Sequence, residues 1–187
     1  ANPGATAQNN RDYFENLATT HEAKVSSHFV VGLEGEVIQC IPTSEMSYAT
    51  NSRNVDSISI ECCHNDETGV FEQATYDSTV KLTAWLCARF GLTSEQVIRH
   101  YDVTGKECPK YYVDHPDAWE QMKADIAAQI TVDQGLMGIS EILLCIALQK
   151  NCRINKIFSI LKYLWKYCSI KKNCMTGGSW EYPQGVQ

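Results

Sequence analysis

Residues 100 to 108 contain two side chains of types that suit a metal ion. His100 offers an imidazole nitrogen and Cys108 a sulfur, eight positions apart. Both are ligands that tetrahedral zinc accepts when a third protein ligand comes from elsewhere. Two ligands are a weak signal, because a surface histidine and a small buried cysteine give the same pattern without any metal. The spacing predicts a candidate zinc site and leaves the purely structural interpretation open.

Two charged residues could act beside such an ion. Lys106, two residues before Cys108, could aim its ammonium group at negative charge that develops near the metal. Glu61 lies in residues 57–62, where polar and apolar residues alternate strictly, so we expect it on the polar face of a strand. There it could act as a general base on a water molecule. A solvated loop lysine and an exposed strand glutamate are the simpler alternatives.

The elements that position these residues alternate between strands and helices as far as residue 130, which predicts an α/β domain. The expected elements follow in chain order. They are a helix capped by Thr6, strands at 25–31 and 36–41 joined by a turn at Glu34 and Gly35, a strand at 57–62, a helix from Thr75 to Phe90 ended by Gly91, a short strand at 97–99 that leads His100 into a loop, and a helix from Pro116 with Trp119, Met122, Ile126 and Ile130 facing inward.

Residues 131–187 differ in composition from the preceding part. Residues 1–130 carry a net charge of −10, whereas residues 131–187 carry +4, and residues 133–135 mark the predicted boundary. Residues 152–172 have apolar side chains at helical spacing among lysines. This pattern predicts either the second helix of a packed hairpin, which we favour, or a cationic helix on a membrane or an anionic wall. A joined or frame-shifted sequence would also give this change in composition.

Overall composition excludes several classes of protein. The net charge of −6 disfavours binding to polyanions, so we expect no nucleic-acid partner. Nine cysteines cannot all pair, which favours reduced thiols and synthesis in the cytoplasm. No signal peptide opens the chain, and no uncharged apolar run reaches the roughly 18 residues of a membrane span. Any export would therefore need another route.

Several stretches form a combined pattern: residues 2–4 with a helix around 9–11, residues 25–31, residues 56–61 and residues 99–109. Together they resemble the zinc-dependent N-acetylmuramoyl-L-alanine amidases of the type-2 class, which are bacterial autolysins and phage endolysins related to peptidoglycan recognition proteins. The resemblance covers roughly residues 1–130, and residues 100–109 are its most specific part. It implies a mixed central β-sheet flanked by helices in 1–130, to which residues 131–187 would add a C-terminal helical segment.

The resemblance also implies an activity and a site. The reaction is hydrolysis of the amide bond between N-acetylmuramic acid and L-alanine in peptidoglycan, at the bacterial cell wall, with Zn²⁺ as cofactor. His100 and Cys108 would be zinc ligands, Glu61 the catalytic base, and Lys106 the group that stabilises the oxyanion. His28 matches a histidine near the substrate groove, where it would either contact substrate or support the structure.

Two positions depart from the family pattern. The family's first zinc ligand is a histidine that ends an opening strand just before the turn at residues 2–4. We expect that strand and that ligand to be missing from a truncated chain that holds zinc substoichiometrically. His21, His28 or His64 could replace that ligand, although spacing recommends neither His21 nor His64. Tyr48 stands where many relatives have histidine, which affects substrate contacts more than the metal.

Two other functions stay open. A non-catalytic peptidoglycan-binding module with an incomplete metal site is the main alternative. A cysteine hydrolase that uses Cys108 and His100 is the other.

Overall fold

The structure is a computed structural model that describes residues 1–149 and, of these, the side chains of residues 1–132. The chain divides into two compact units, and the first, Ala1–Met137, contains every described strand and all the candidate site residues. The predictions for residues 152–172 lie outside the described residues.

The first helix, α1, begins and ends as its sequence predicts. It spans Ala7–Thr20, and the Thr6 hydroxyl accepts a hydrogen bond from the Asn9 backbone N–H at 3.1 Å. The Asn9 side chain accepts in return from the Thr6 N–H, also at 3.1 Å. This reciprocal cap satisfies backbone donors that the first turn of a helix leaves without partners. Thr6 as the cap is confirmed.

The sheet has three short strands in the order β2-β1-β3, with β1 at Phe29–Val31, β2 at Val37–Gln39 and β3 at Ile60–Cys62. β1 pairs antiparallel with β2 and parallel with β3, so the sheet is mixed. These strands are shorter than predicted, because the neighbouring backbone groups bond to loops and side chains instead of a ladder. The Ser26 N–H donates to the Tyr48 carbonyl at 3.2 Å, and the His28 N–H donates to the Ser59 hydroxyl at 3.1 Å.

Helix α2 spans Gln73–Phe90 and ends at Gly91, whose φ of 67° is the left-handed conformation that glycine adopts readily. The end was predicted correctly, but Thr75 as the start is wrong. Thr75 lies inside the helix, fully buried, and its hydroxyl donates to the Gly32 carbonyl at 2.8 Å. The hydroxyl therefore joins α2 to the end of β1 rather than capping the helix.

The segment that leads to His100 was also predicted wrongly as a strand at residues 97–99. A 3₁₀ helix at Ser94–Gln96 precedes these residues, and they pair with no described strand. His100 begins a short helix, α3, at His100–Thr104, rather than a loop. The Asp102 carboxylate accepts from the Arg99 N–H at 2.8 Å, which favours a helical start over continued extension.

Two further helices complete the described chain, α4 at Lys110–Asp114 and α5 at Pro116–Gln149. The predicted inward residues of α5, Trp119, Met122, Ile126 and Ile130, are all buried, and they pack with residues of α2 and α4 in the larger core. A smaller cluster of Ala7, Val30 and Cys63 lies between α1 and the sheet. The predicted fold class, a mixed sheet flanked by helices, is confirmed. α5 runs without a break through residues 133–135, and the division at residue 130 stays a proposal.

Two further findings concern the described residues alone. None of their helices combines the length and hydropathy needed to cross a membrane. The five cysteines whose side chains are described, Cys40, Cys62, Cys63, Cys87 and Cys108, are all free thiols.

Candidate active site

The two proposed metal donors stand at the ends of one closed loop. α3 begins at His100 and ends at Gly105, whose φ of 75° reverses the chain. The chain then returns, and the Tyr101 N–H donates to the Cys108 carbonyl at 3.0 Å. This hydrogen bond places the backbone of Cys108 beside the first turn of α3. The local sequence therefore brings the backbones of the two proposed donors close together.

Arg99 fixes this loop to the rest of the domain. Its guanidinium donates to the Tyr112 carbonyl at 2.8 Å and to the Asp102 carboxylate at 2.7 Å. The same group lies 5.3 Å from the ring centroids of both Tyr101 and Trp119. Arg99 thus ties α3 to α4 and α5 through hydrogen bonds and cation–π contacts.

Glu61 and Lys106 act electrostatically on both donors. Burial lowers the pKa of His100, the Lys106 ammonium lowers it further, and the Glu61 carboxylate raises it. Burial raises the pKa of Cys108, as does Glu61, while the amino group of Ala1 and Lys106 lower it. Glu61 and Lys106 therefore lie within electrostatic range of both donors, and we call these four residues the cluster.

Glu61, the carboxylate of the cluster, lies in the middle of β3. Its side chain is 33% exposed, and its carboxylate forms an ion pair with the amino group of Ala1. Lys106 is exposed and forms no ion pair with any described residue. The cluster therefore combines a half-buried carboxylate with an ammonium group that is available to a substrate.

The pKa directions bear on the cysteine-hydrolase alternative. A cysteine nucleophile needs a thiolate, which nearby positive charge favours and burial disfavours. In this structure burial and Glu61 together raise the pKa of Cys108. The lowered pKa of His100 keeps its ring neutral at pH 7, which is the form that binds a metal. These directions disfavour a thiolate–imidazolium pair, and a zinc ion held by Cys108 would itself have to displace the thiol proton.

The donor set fits zinc in type but is incomplete within the described residues. No group of three His, Cys, Asp or Glu side chains that could hold a metal occurs there. The three proposed replacement histidines have other places: His21 ends α1, His28 is buried with both nitrogens engaged, and the His64 nitrogens lie 2.8 and 2.9 Å from the carbonyls of Asp66 and Ala1. As zinc ligands, His100 and Cys108 would supply two of the three protein ligands that a catalytic zinc site needs.

His28 is the centre of a buried polar network. Its Nδ1 accepts from the Ser59 N–H at 3.0 Å, so its Nε2 carries the proton and donates to the Glu45 carbonyl at 2.9 Å. The Ser59 hydroxyl lies 2.8 Å from that of Ser47 and 3.2 Å from that of Ser27. His28 was predicted from the sequence as a site residue, but the three serines were not. Their only signal in the sequence is that each is a small polar residue among apolar ones. Both His28 nitrogens are used inside the protein.

Residues 45–53 form a wall beside the cluster, which we call the groove wall. The Ser47 hydroxyl bonds to the Ser59 hydroxyl. Ser59 lies two residues before Glu61 in the same extended segment, so the side chains of Ser59 and Glu61 are expected on the same face of that segment. At its other end, the 3₁₀ helix Asn51–Arg53 packs against α3. The groove wall therefore runs from the approach to β3 to the helix that begins with His100. It presents an exposed Tyr48.

A small mixed sheet flanked by helices that gathers a carboxylate, an imidazole, a thiol and an ammonium group fits the reaction class of metal-assisted hydrolysis. A family model described as N-acetylmuramoyl-L-alanine amidase (Amidase_2) matches residues 1–111. The chain belongs to this family.

Individual relatives agree with this assignment. The N-acetylmuramoyl-L-alanine amidase CwlL of Bacillus licheniformis is 36% identical over 126 residues, covering 60% of this chain and 34% of that protein. The N-acetylmuramoyl-L-alanine amidase BlyA of Bacillus subtilis (strain 168) is 30% identical over 152 residues, covering 70% of this chain and 40% of that protein. The chain thus spans between a third and two fifths of the length of these relatives.

Among solved structures, the catalytic domain of XlyA superposes with a TM-score of 0.55 at 27% identity, covering 66% of this chain and 77% of that one. A mutant endolysin from Bacillus subtilis gives a TM-score of 0.54, also at 27% identity, with the same coverage. The neighbours of this fold are catalytic domains of endolysins.

Proposed function

We propose that this chain is a zinc-dependent amidase domain that hydrolyses the bond between N-acetylmuramic acid and L-alanine in peptidoglycan. The observation that carries the proposal is the cluster of His100, Cys108, Glu61 and Lys106 in a chain of the N-acetylmuramoyl-L-alanine amidase family. The relatives named above are amidases of this specificity by name. The site of action would be the bacterial cell wall.

Each residue of the cluster has one role in this proposal. His100 and Cys108 hold the zinc together with a donor that is not among the described side chains. When bound, zinc supplies Lewis acidity to the amide carbonyl. Glu61 accepts the proton of the attacking water and then passes it to the leaving nitrogen. Lys106, whose ammonium forms no ion pair with a described residue, donates to the oxygen on which negative charge develops.

The experiment measures new alanine amino termini released from purified peptidoglycan by the chain supplied with Zn²⁺. Glu61→Gln keeps the shape of the side chain but cannot take a proton, so we expect a loss of about 10²–10⁴-fold in rate with binding retained in a sedimentation assay. Glu67→Gln removes an equal charge from an exposed loop and should stay within about twofold of the wild type. Release that persists at the wild-type rate in Glu61→Gln contradicts the proposal.

A peptidoglycan-binding module without catalysis is the second candidate. It is favoured by one observation, that no third ligand joins His100 and Cys108 within the described residues. The same experiment separates the two functions. Sedimentation with peptidoglycan in the absence of released alanine termini supports the binding module.

A further inference from the structure

The groove wall packs against the segment that leads to Glu61, and few of its contacts are buried. Ser59 and Glu61 are two residues apart along extended chain, which corresponds to roughly 6–7 Å. Its most buried contacts are the bond between Ser47 and Ser59 and the bond from His28 to the Glu45 carbonyl. More exposed bonds join Tyr48 to Ser26, Thr50 to Ser57, and the Arg53 carbonyl to Ser57. The wall and Glu61 are therefore attached to the same stretch of chain.

His28 is a buried side chain that joins the wall to the sheet, beside the bond between Ser47 and Ser59. It is 1% exposed, and its two nitrogens face in different directions: Nδ1 toward the Ser59 N–H and Nε2 toward the Glu45 carbonyl. The first contact holds β1 to the approach to β3, and the second holds the wall to β1. A buried hydrogen bond that loses one partner leaves a desolvated polar group, which makes both contacts costly to break.

We propose that His28 is a positioning residue: its Nε2–H bond to the Glu45 carbonyl fixes the groove wall, and the fixed wall contributes to binding of the peptidoglycan strand. This inference rests on the proposed function. It differs from a direct substrate contact, because both ring nitrogens are already engaged within the fold and the ring is inaccessible. His28 thus acts on substrate through residues 45–53 and leaves the chemical step to Glu61.

Two substitutions of His28 test the contributions of its two ring nitrogens separately. In His28→Asn the amide oxygen can replace Nδ1 as acceptor for Ser59, but the side chain is too short to reach the Glu45 carbonyl. In His28→Gln the longer amide can still donate to Glu45 but gives up the Nδ1 acceptor. His21→Asn is the matched control, since His21 is exposed and has a φ of 58°, a conformation that asparagine tolerates.

The experiment compares these variants with the wild-type chain in Zn²⁺. His28→Asn should raise KM and the dissociation constant for sedimented peptidoglycan about tenfold, which corresponds to about 1.4 kcal/mol, with kcat within about twofold. His28→Gln should restore both constants to near the wild-type values even though it unfolds at a lower temperature. A merely structural histidine would lower Tm in both variants and leave KM unchanged, and that result overturns the inference.

Amide hydrogen exchange gives a readout that needs no catalysis. The backbone N–H groups of Tyr48, Ala49 and Thr50 donate to side chains of Ser26 and Asn54, so they report whether the wall is held. Exchange at these amides should accelerate about tenfold in His28→Asn but not in His28→Gln. Equal exchange in both variants overturns the anchoring role, and faster exchange with unchanged binding overturns the role in binding.

A wild-type chain that neither binds nor cleaves peptidoglycan overturns the proposed function instead, while the exchange result still decides whether His28 anchors the wall.

Discussion

Arg99 uses the planar geometry of its guanidinium in a way that lysine cannot reproduce. It donates to Tyr112 and Asp102 and lies against two aromatic rings, all while its side chain is 15% exposed. A lysine ammonium has no fork for the carboxylate and no flat face for the rings. Since His100 follows Arg99 directly, the same contacts hold the proposed metal donor in place.

We predict that Arg99→Lys lowers the free energy of unfolding by about 1–3 kcal/mol in urea denaturation. It should also weaken Zn²⁺ binding at least about tenfold in a competition titration with a chromophoric chelator, because residues that orient a metal ligand typically have effects of this size. Arg89→Lys is the control, since Arg89 is an exposed residue near the rings of Trp85 and Phe90. Wild-type stability and affinity in Arg99→Lys would show that α3 does not depend on this contact.

At the scale of elements, α3 is too short to be stable as an isolated helix and depends on its caps. The hydrogen bonds from Arg99 are the largest cause of a lowered pKa at Asp102. A carboxyl group whose pKa is lower in the folded state stabilises the fold fully above its unfolded pKa, near 3.8, and loses that contribution as the pH falls through the lower folded value. The cap of α3 is therefore sensitive to acid.

Asp102→Asn tests this dependence. The free energy of unfolding of the wild type should exceed that of the variant above about pH 5, and the difference should shrink as the pH falls below about 3.8. Urea denaturation of both proteins across this range measures the difference, with Asp12→Asn as the control for removal of an exposed carboxylate. A difference that stays constant with pH would assign the stabilisation to something other than the charge of Asp102.

Elements that are determined by neighbouring residues could be predicted from the sequence, whereas elements that depend on residues distant in sequence could not. The caps at Thr6 and Gly91 and the inward face of α5 follow from local sequence, and the structure confirms them. Thr75 was misassigned because the partner of its hydroxyl, the Gly32 carbonyl, is distant in sequence. Residues 97–99 have the β-branched composition of a strand, but no neighbouring strand is there to pair with them.

The candidate site divides in the same way. His100, Lys106 and Cys108 lie within nine residues, so their shared location could be predicted from the sequence. The network around His28 joins residues 12 to 32 positions apart, through the pairing of β1 with the approach to β3. No local pattern shows which serine will meet which histidine. The groove wall could therefore be recognised only in three dimensions.

At the scale of the whole molecule, the first compact unit is stabilised by burial on both faces of its sheet and by no disulfide among the described cysteines. Cys63 and Cys87 are buried, and burial raises the pKa of both thiols, that of Cys63 to about 11. Such thiols stay protonated and resist oxidation at neutral pH.

We predict that a reductant such as dithiothreitol leaves the Tm unchanged to within about 1 °C, because no native cross-link restricts the unfolded state of the first unit. The measurement is a thermal melt followed by near-ultraviolet circular dichroism. A variant with serine at Cys145, Cys152, Cys168 and Cys174 serves as the control, since these four lie outside the described side chains. A Tm that falls by several degrees in that variant on reduction would reveal a disulfide among the remaining cysteines.

The closed loop that begins at α3 makes the positions of the two proposed donors depend on each other. The backbone bond between Tyr101 and Cys108 closes the loop, Arg99 joins it to α4, and the 3₁₀ helix Asn51–Arg53 packs against α3. Opening of the loop would displace the imidazole and the sulfur together. If both hold one zinc ion, the ion should dissociate faster from any variant in which this loop opens more often.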